Sequence, residues 1–126
     1  MARIAAVFAP RGVAYRLVYV TEAHPVDGWM PIYAPREFTE VRYAKTLEER
    51  LAVARKFVGV YEIDPDTVII DGLADDLERG FEARPERIAV VGGGRLLWRC
   101  ELGSRSLAAF PDEEPPGLVA FLESHV

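Results

Sequence analysis

The stretch "VYVTEAHPVDGW", residues 18–29, takes the chain from an apolar run into a polar loop. The run that leads into it, "VAYRLVYV" (Val13–Val20), is interrupted only by Arg16 and is rich in β-branched and aromatic residues. A strand that is apolar on both faces is typical of the interior of a sheet covered by helices. Glu22 and His24 then follow the carboxyl end of an interior strand, which is the edge where open α/β sheets bind ligands.

The remaining segments predict an α/β fold. Thr46, followed three residues later by Glu49, is a capping box that begins an amphipathic helix. Strands separated by helices favour parallel pairing, and a glycine-turn hairpin adds antiparallel strands, so we expect one mixed sheet with helices on both faces. The 126 residues suffice for one domain over 1–126. The predicted elements are the end of a helix at Arg3–Ala9, strands at Val13–Val20 and Asp66–Asp71, a long loop at Thr21–Lys45, helices at Thr46–Val60, Ala74–Ala83 and Glu114–Ser124, and a hairpin around Gly92–Gly94.

Composition limits the classes of function. The formal net charge of −5 leaves no basic footprint for nucleic acid, and the longest apolar runs, about eight residues, are too short to cross a bilayer. We therefore expect neither nucleic acid nor membrane as a partner. His24, Cys100 and His125 lie far apart in the sequence, so we predict no metal site, and we predict no cofactor. A lone cysteine fits a reducing compartment and predicts a cytoplasmic protein.

Four longer motifs follow one another along the chain: "EAHPVDGW" (Glu22–Trp29), "LEER" (Leu47–Arg50), "DGL" (Asp71–Leu73) and "FEARPER" (Phe81–Arg87). In these motifs and in their order the sequence resembles the iodothyronine deiodinase family of the thioredoxin-like superfamily, in which the first motif reads "EAHPxDGW". The likeness implies a thioredoxin-like mixed sheet that is N-terminally truncated here. The family carries its selenocysteine or cysteine on a strand ahead of the first helix, and we interpret this sequence as starting inside that helix.

The resemblance also implies which residues catalyse. Glu22 and His24 match family residues of the active site, with the histidine near the substrate. The nucleophilic cysteine or selenocysteine has no counterpart, because no cysteine precedes Cys100. A second histidine of the vertebrate enzymes is matched by Ala44 or its neighbours, which cannot transfer a proton.

Three further residues are candidates for binding the substrate. Trp29 would line a pocket for an aromatic ligand. Pro85 stands where thioredoxin-like proteins carry a cis-proline beside the active site. Arg105 lies near the position of a family arginine after the last strand, which itself aligns near Leu102.

Each site candidate also has a structural interpretation. Glu22 could accept backbone N–H groups of the long loop while His24 packs against that loop. Asp27 with Gly28 is turn chemistry, and Trp29 could anchor the loop by burying its ring.

Outside this loop the structural interpretations are simpler. Alternation along the last strand predicts that Cys100 is buried and behaves as a small hydrophobe. The solvated face of a short helix is predicted to contain the acidic residues Asp75, Asp76 and Glu78.

Two functions stay open at this point. The first is a deiodinase-like, thioredoxin-fold relative of thiol and selenol oxidoreductases that has no redox activity as this chain, because the nucleophile is absent. The alternative is a non-catalytic thioredoxin-like module for binding or assembly. An exposed strand edge further predicts a homodimer or larger assembly through the Met1–Val20 region.

Overall fold

A computed structural model describes residues 2–29, 40–84, 86–101 and 117–126. The elements are α1 (Ala2–Phe8), β1 (Leu17–Tyr19), α2 (Leu47–Val60), β2 (Val68–Ile70), α3 (Asp76–Phe81), β3 (Ala89–Gly92), β4 (Arg95–Arg99) and α4 (Leu118–His125). This mixture of helices and short strands confirms the α/β class. The described strands pair two by two, β1 with β2 in parallel and β3 with β4 antiparallel, so a single mixed sheet stays a prediction.

The chain divides into two compact units. The central unit consists of the described residues within 16–84, and the terminal unit of those within 1–15 and 85–126. One domain over the whole chain therefore stays a prediction.

The central unit is built on the parallel pair. Leu17 lies opposite Val68 and Tyr19 opposite Ile70, and the Asp71 N–H donates to the Tyr19 carbonyl at 2.9 Å, one step beyond the strands. Helix α2 connects the two strands, and the Tyr19 ring meets Phe57 of α2 edge-on at 5.6 Å between centroids.

Both strands of this pair are shorter than predicted. Pairing begins at Val68 because Pro65–Thr67 forms a 3-10 turn in which the Asp64 side chain accepts from Asp66 N at 3.0 Å. A proline has no N–H to donate to a ladder. Val18 of β1 is 38% exposed, so within the described residues only one face of this strand is covered.

Helix α2 begins as predicted. Thr46 Oγ1 accepts from the Glu49 N–H at 3.1 Å, and Glu49 Oε2 accepts from the Thr46 N–H at 3.2 Å, which completes the capping box. Both partners lie within one helical turn, which is why the sequence alone reveals them.

The terminal unit contains the predicted hairpin. Gly93 and Gly94 turn between β3 and β4 at φ 56° and 72°, values that glycine adopts at little cost. Val90 pairs with Trp98, and a bulge follows before Val91 pairs with Leu96.

Helices α1 and α4 supply the core of this unit. Phe8, Leu118 and Leu122 are buried together, and Trp98 and Phe121 pack against them. Helix α1 ends as predicted near Pro10, in a 3-10 turn closed by Gly12 at φ 85°. Helix α4 begins at Leu118, and the predicted start near Glu114 lies outside the described residues.

Candidate functional site

The candidate site lies where the parallel strands end. Thr21 and Glu22 come just after β1, while Asp71 and Gly72 come just after β2. Since the strands are parallel, their carboxyl ends lie at one edge of the pair, as expected for the ligand edge of an α/β sheet.

Glu22 is buried at this edge and both of its carboxylate oxygens have partners. The Tyr19 hydroxyl donates to Oε1 at 3.4 Å, and the Ala44 N–H donates to Oε2 at 3.5 Å. The second bond confirms the interpretation that Glu22 binds a backbone N–H of the long loop. Burial, then the charge of Glu22 and the bond to it, raise the pKa of Tyr19 well above its ordinary value, against the opposing charge of Arg50.

His24 and Trp29 form a pair on the loop that follows. Their rings lie 5.0 Å apart at 59°, and His24 Nδ1 lies 3.4 Å from the Trp29 carbonyl oxygen. His24 is half-buried, whereas Trp29 is 70% exposed. The expectation that Trp29 buries its ring is therefore wrong, because the ring rests on the imidazole rather than in a core.

A tight turn separates these two residues. Pro25 is fully buried, and the Gly28 N–H donates to its carbonyl at 3.0 Å. Asp27 Oδ1 accepts from the Tyr43 N–H at 2.9 Å, so the end of the loop near Tyr43 binds the turn. These contacts confirm Asp27 and Gly28 as turn residues.

Arg50 organises the edge, and no sequence argument assigned it a role. It is only 2% exposed. Its Nη1 donates to the carbonyls of Asp71 and Gly72, at 3.2 and 2.5 Å, and to Asp75 Oδ1 at 2.9 Å. Its Nη2 donates to the Thr21 hydroxyl at 2.8 Å.

The acidic residues around α3 do not form one solvated face. Asp76 is exposed, but Glu78 is buried and Asp75 is half-buried against Arg50. Burial would raise the pKa of Asp75, but hydrogen bonds from Thr21 and Arg50, with positive charge nearby, outweigh it and lower that pKa.

Asp71 explains why α3 starts where it does. Its carboxylate accepts from the Leu77 N–H at 3.1 Å and from the Glu78 N–H at 2.8 Å, which satisfies two free donors of the first turn. Asp71 stands in the "DGL" motif, which was the one sequence signal that marked this position.

Arg84 connects Glu78 of α3 with Tyr43 near the end of the loop. It lies 3.4 Å from Glu78 Oε1. Burial would lower the pKa of Arg84, yet its hydrogen bond with Tyr43 and the charge of Glu78 raise it.

Cys100 is 6% exposed, which confirms that it is buried. Its Sγ accepts from the Ile88 N–H at 3.1 Å, and its own N–H donates to the Ile88 carbonyl at 3.0 Å. The thiol is thus bound to the backbone of Ile88 in the terminal unit.

Two substrate-binding candidates, Pro85 and Arg105, lie outside the described residues, as does Leu102. Within the described ranges, no three histidine, cysteine or acidic side chains are grouped to hold a metal ion. No helix in those same ranges combines the length and apolarity needed to cross a membrane.

Comparison with known proteins agrees with these motifs. The family model of iodothyronine deiodinase matches residues 3–111. Thyroxine 5-deiodinase of Sparus aurata is 29% identical over 85 residues, covering 68% of this chain and 30% of that protein. Type II iodothyronine deiodinase of Gallus gallus is 34% identical over 90 residues, covering 69% of this chain and 32% of that protein.

A third relative matches this chain with similar identity and coverage. Type II iodothyronine deiodinase of Neoceratodus forsteri is 33% identical over 86 residues, covering 67% of this chain and 32% of that protein. This chain therefore spans about a third of the length of the relatives it matches. Because the family match covers most of the sequence, the chain belongs to the iodothyronine deiodinase family.

Proposed function

We propose that the chain is a deiodinase-like domain of thioredoxin-like fold, and that the 126 residues by themselves catalyse no thiol redox turnover. The order of elements supports the fold: a parallel pair joined through α2, then α3, an antiparallel hairpin and α4. Relatives are deiodinases named for thyroxine and iodothyronines, so iodinated phenols are the substrate class to test.

The state of Cys100 carries the proposal on activity. It is the only cysteine of the sequence, and its thiol is buried and bonded to the backbone of Ile88. The nucleophile in thiol chemistry is an accessible thiolate, favoured by positive charge or a helix N-terminus. Cys100 is only 6% exposed and its Sγ already accepts from the Ile88 N–H, so the thiol is poorly accessible to a substrate.

The loop at the candidate site contains groups that can exchange a proton with a substrate, but it contains no group that can donate electrons. His24 carries an imidazole whose ring nitrogens can donate or accept a hydrogen bond, and the carboxylate of Glu22 accepts from two partners. Reduction of a carbon–iodine bond takes two electrons from a thiol or selenol, and the segment Glu22–Trp29 contains neither.

The experiment is a turnover assay of the purified chain with dithiothreitol. Iodide release from an iodinated phenol, peroxide consumption and insulin reduction are compared with a reductant-only control. We expect no difference from that control, for the wild-type chain and for Cys100→Ser. Turnover above the control would overturn the proposal, and its loss in Cys100→Ser would identify Cys100 as the source.

The exposed ring of Trp29 favours a second candidate, a binding module. An indole held on an imidazole at 5.0 Å presents a large flat surface that loses little freedom on binding. An iodinated phenol bound there would quench its fluorescence.

Each tryptophan can be tested separately. The chain has two, Trp29 and Trp98. We expect saturable quenching by an iodinated phenol that persists in Trp98→Phe and disappears in Trp29→Phe. Quenching that is unchanged in Trp29→Phe would rule out this binding site.

A further inference from the structure

The Arg50 network reaches the candidate site through Thr21. The Thr21 hydroxyl accepts from Arg50 Nη2 and donates to Asp75 Oδ1 at 2.5 Å, so both directions of its hydrogen bonding are used. Thr21 directly precedes Glu22 and stands three residues before His24. The rotamer and backbone position of Thr21 therefore fix where the loop leaves the sheet.

Stability alone does not require an arginine at this position. Taking a guanidinium out of water costs several kcal/mol, and replacing a buried ion pair by apolar side chains of similar volume is often neutral or stabilising. Arg50 Nε also has no partner within the described residues. An apolar side chain could fill the same volume, but it could not bind the segments after β1 and β2 at once.

The backbone beside the network supports the same conclusion. Asp75 stands at φ 53°, in the left-handed region that side chains other than glycine rarely adopt. Its N–H donates to the Gly72 carbonyl at 3.0 Å, and its carboxylate accepts from Arg50 and Thr21. Such a conformation persists where surrounding contacts over-determine it.

We propose that Arg50 is a positioning residue, which sets the location of the Glu22–Trp29 loop by holding Thr21, Asp71 and Asp75 together. The proposed function gives Glu22 and His24 their importance, and in that respect this inference rests on it. The inference itself concerns geometry, and its test uses no turnover. It can fail while the turnover result stands, and the reverse is also possible.

The pair of His24 and Trp29 provides the measurement. An imidazole 5.0 Å from an indole experiences a ring-current shift of its proton resonances, and that shift changes steeply with distance and angle. The chain has two histidines, so His24→Gln identifies the signal, and Trp29→Ala gives its value without the indole. The other, His125, stacks on Phe121 at 4.1 Å and reports on the terminal unit as an internal control.

The decisive comparison is between two arginines of α2. Arg50→Met removes the buried guanidinium, and Arg55→Met removes an exposed guanidinium from the same helix. We expect the His24 resonances of Arg50→Met to move toward their Trp29→Ala values while His125 keeps its own. Arg55→Met should match the wild type. Arg50→Lys should fall between, because an ammonium keeps the charge but lacks the planar fork.

A second variant covers the case in which Arg50→Met does not fold. Thr21→Val removes only the hydroxyl and retains Arg50 with its remaining acceptors. The same movement of the His24 signal in a folded Thr21→Val chain would support the proposal. If Arg50→Met folds and its His24 resonances match those of the wild type, the proposal is overturned. If Arg50→Met does not fold, wild-type His24 resonances in a folded Thr21→Val chain overturn it.

Discussion

The carboxylate of Asp75 lies 2.9 Å from the guanidinium of Arg50, and the arginine side chain is almost completely buried. The two residues are 25 positions apart in sequence. Burial tends to raise the pKa of Asp75, but the bonds from Thr21 and Arg50 and the nearby positive charges lower it. The folded state therefore holds the proton of Asp75 less tightly than the unfolded state does.

Stability should therefore fall in acid in a way that depends on Asp75. A depressed folded pKa contributes stability above the unfolded value, about 4, and this contribution is lost as pH falls through the folded pKa. We expect urea unfolding from pH 6 down to about 3 to show a smaller loss for Asp75→Asn than for wild type. Asp76→Asn, at an exposed acid, should follow the wild-type profile. An unchanged slope in Asp75→Asn would contradict the contribution of this pair.

Tyr19 should make the stability of the chain depend on pH at the alkaline end of the range. Its pKa is raised in the folded state, so its contribution is complete below the unfolded value, about 10, and is lost as pH rises toward the folded pKa. We expect Tyr19→Phe to lose less stability than wild type between about pH 9 and 11. Tyr61→Phe, at an exposed tyrosine, serves as the control. If both variants lose as much as wild type, Tyr19 is not held neutral by its site.

The turn of the loop can be tested with two glycines. A Cβ on Gly28 would lie 2.8 Å from Tyr43 Cε2 and 2.9 Å from Cγ of Pro25, whereas a Cβ on Gly59 of α2 would meet nothing within 4 Å. We expect Gly28→Ala to destabilise by about 1–3 kcal/mol and Gly59→Ala to stabilise by about 0.5–1 kcal/mol, measured by urea unfolding. A neutral or stabilising Gly28→Ala would show that the turn has room.

The features that the sequence predicted correctly depend on neighbours along the chain. The capping box spans Thr46 to Glu49, and the hairpin turn needs only Gly93 and Gly94. The burial of Cys100 followed from alternation along one strand. The partners of the capping box and of the hairpin turn lie within a few residues of each other, so local pattern and geometry determine these two results.

The features that the sequence missed depend on distant residues. Asp75 was predicted on a solvated helix face and Arg50 was given no role, and only the fold shows that they are paired. Glu78 is buried because α3 packs that side inward, which six residues are too few to reveal by periodicity. Trp29 was expected to anchor the loop by burying its ring, but the loop turns at Pro25–Gly28 and leaves that ring on the surface.

We further propose that the chain associates with itself through the Met1–Val20 region. Among the described strands, β1 pairs only with β2, and a strand with a free edge can pair with a second copy. Sedimentation at micromolar concentrations should show a dimer or larger species. Val18→Lys on β1 should weaken it, whereas Val91→Lys on the exposed part of β3 should not. A monomer throughout that range would contradict the proposal.

The reaction rate of Cys100 with a thiol reagent shows whether this chain presents a working nucleophile. We expect slow modification of the native chain, limited by opening of the structure around a thiol that is 6% exposed, and fast modification in denaturant. Cys100→Ser should show no reaction in either condition. Modification of the native chain as fast as that of the unfolded chain would show an accessible thiol and contradict the claim that these 126 residues lack a working nucleophile.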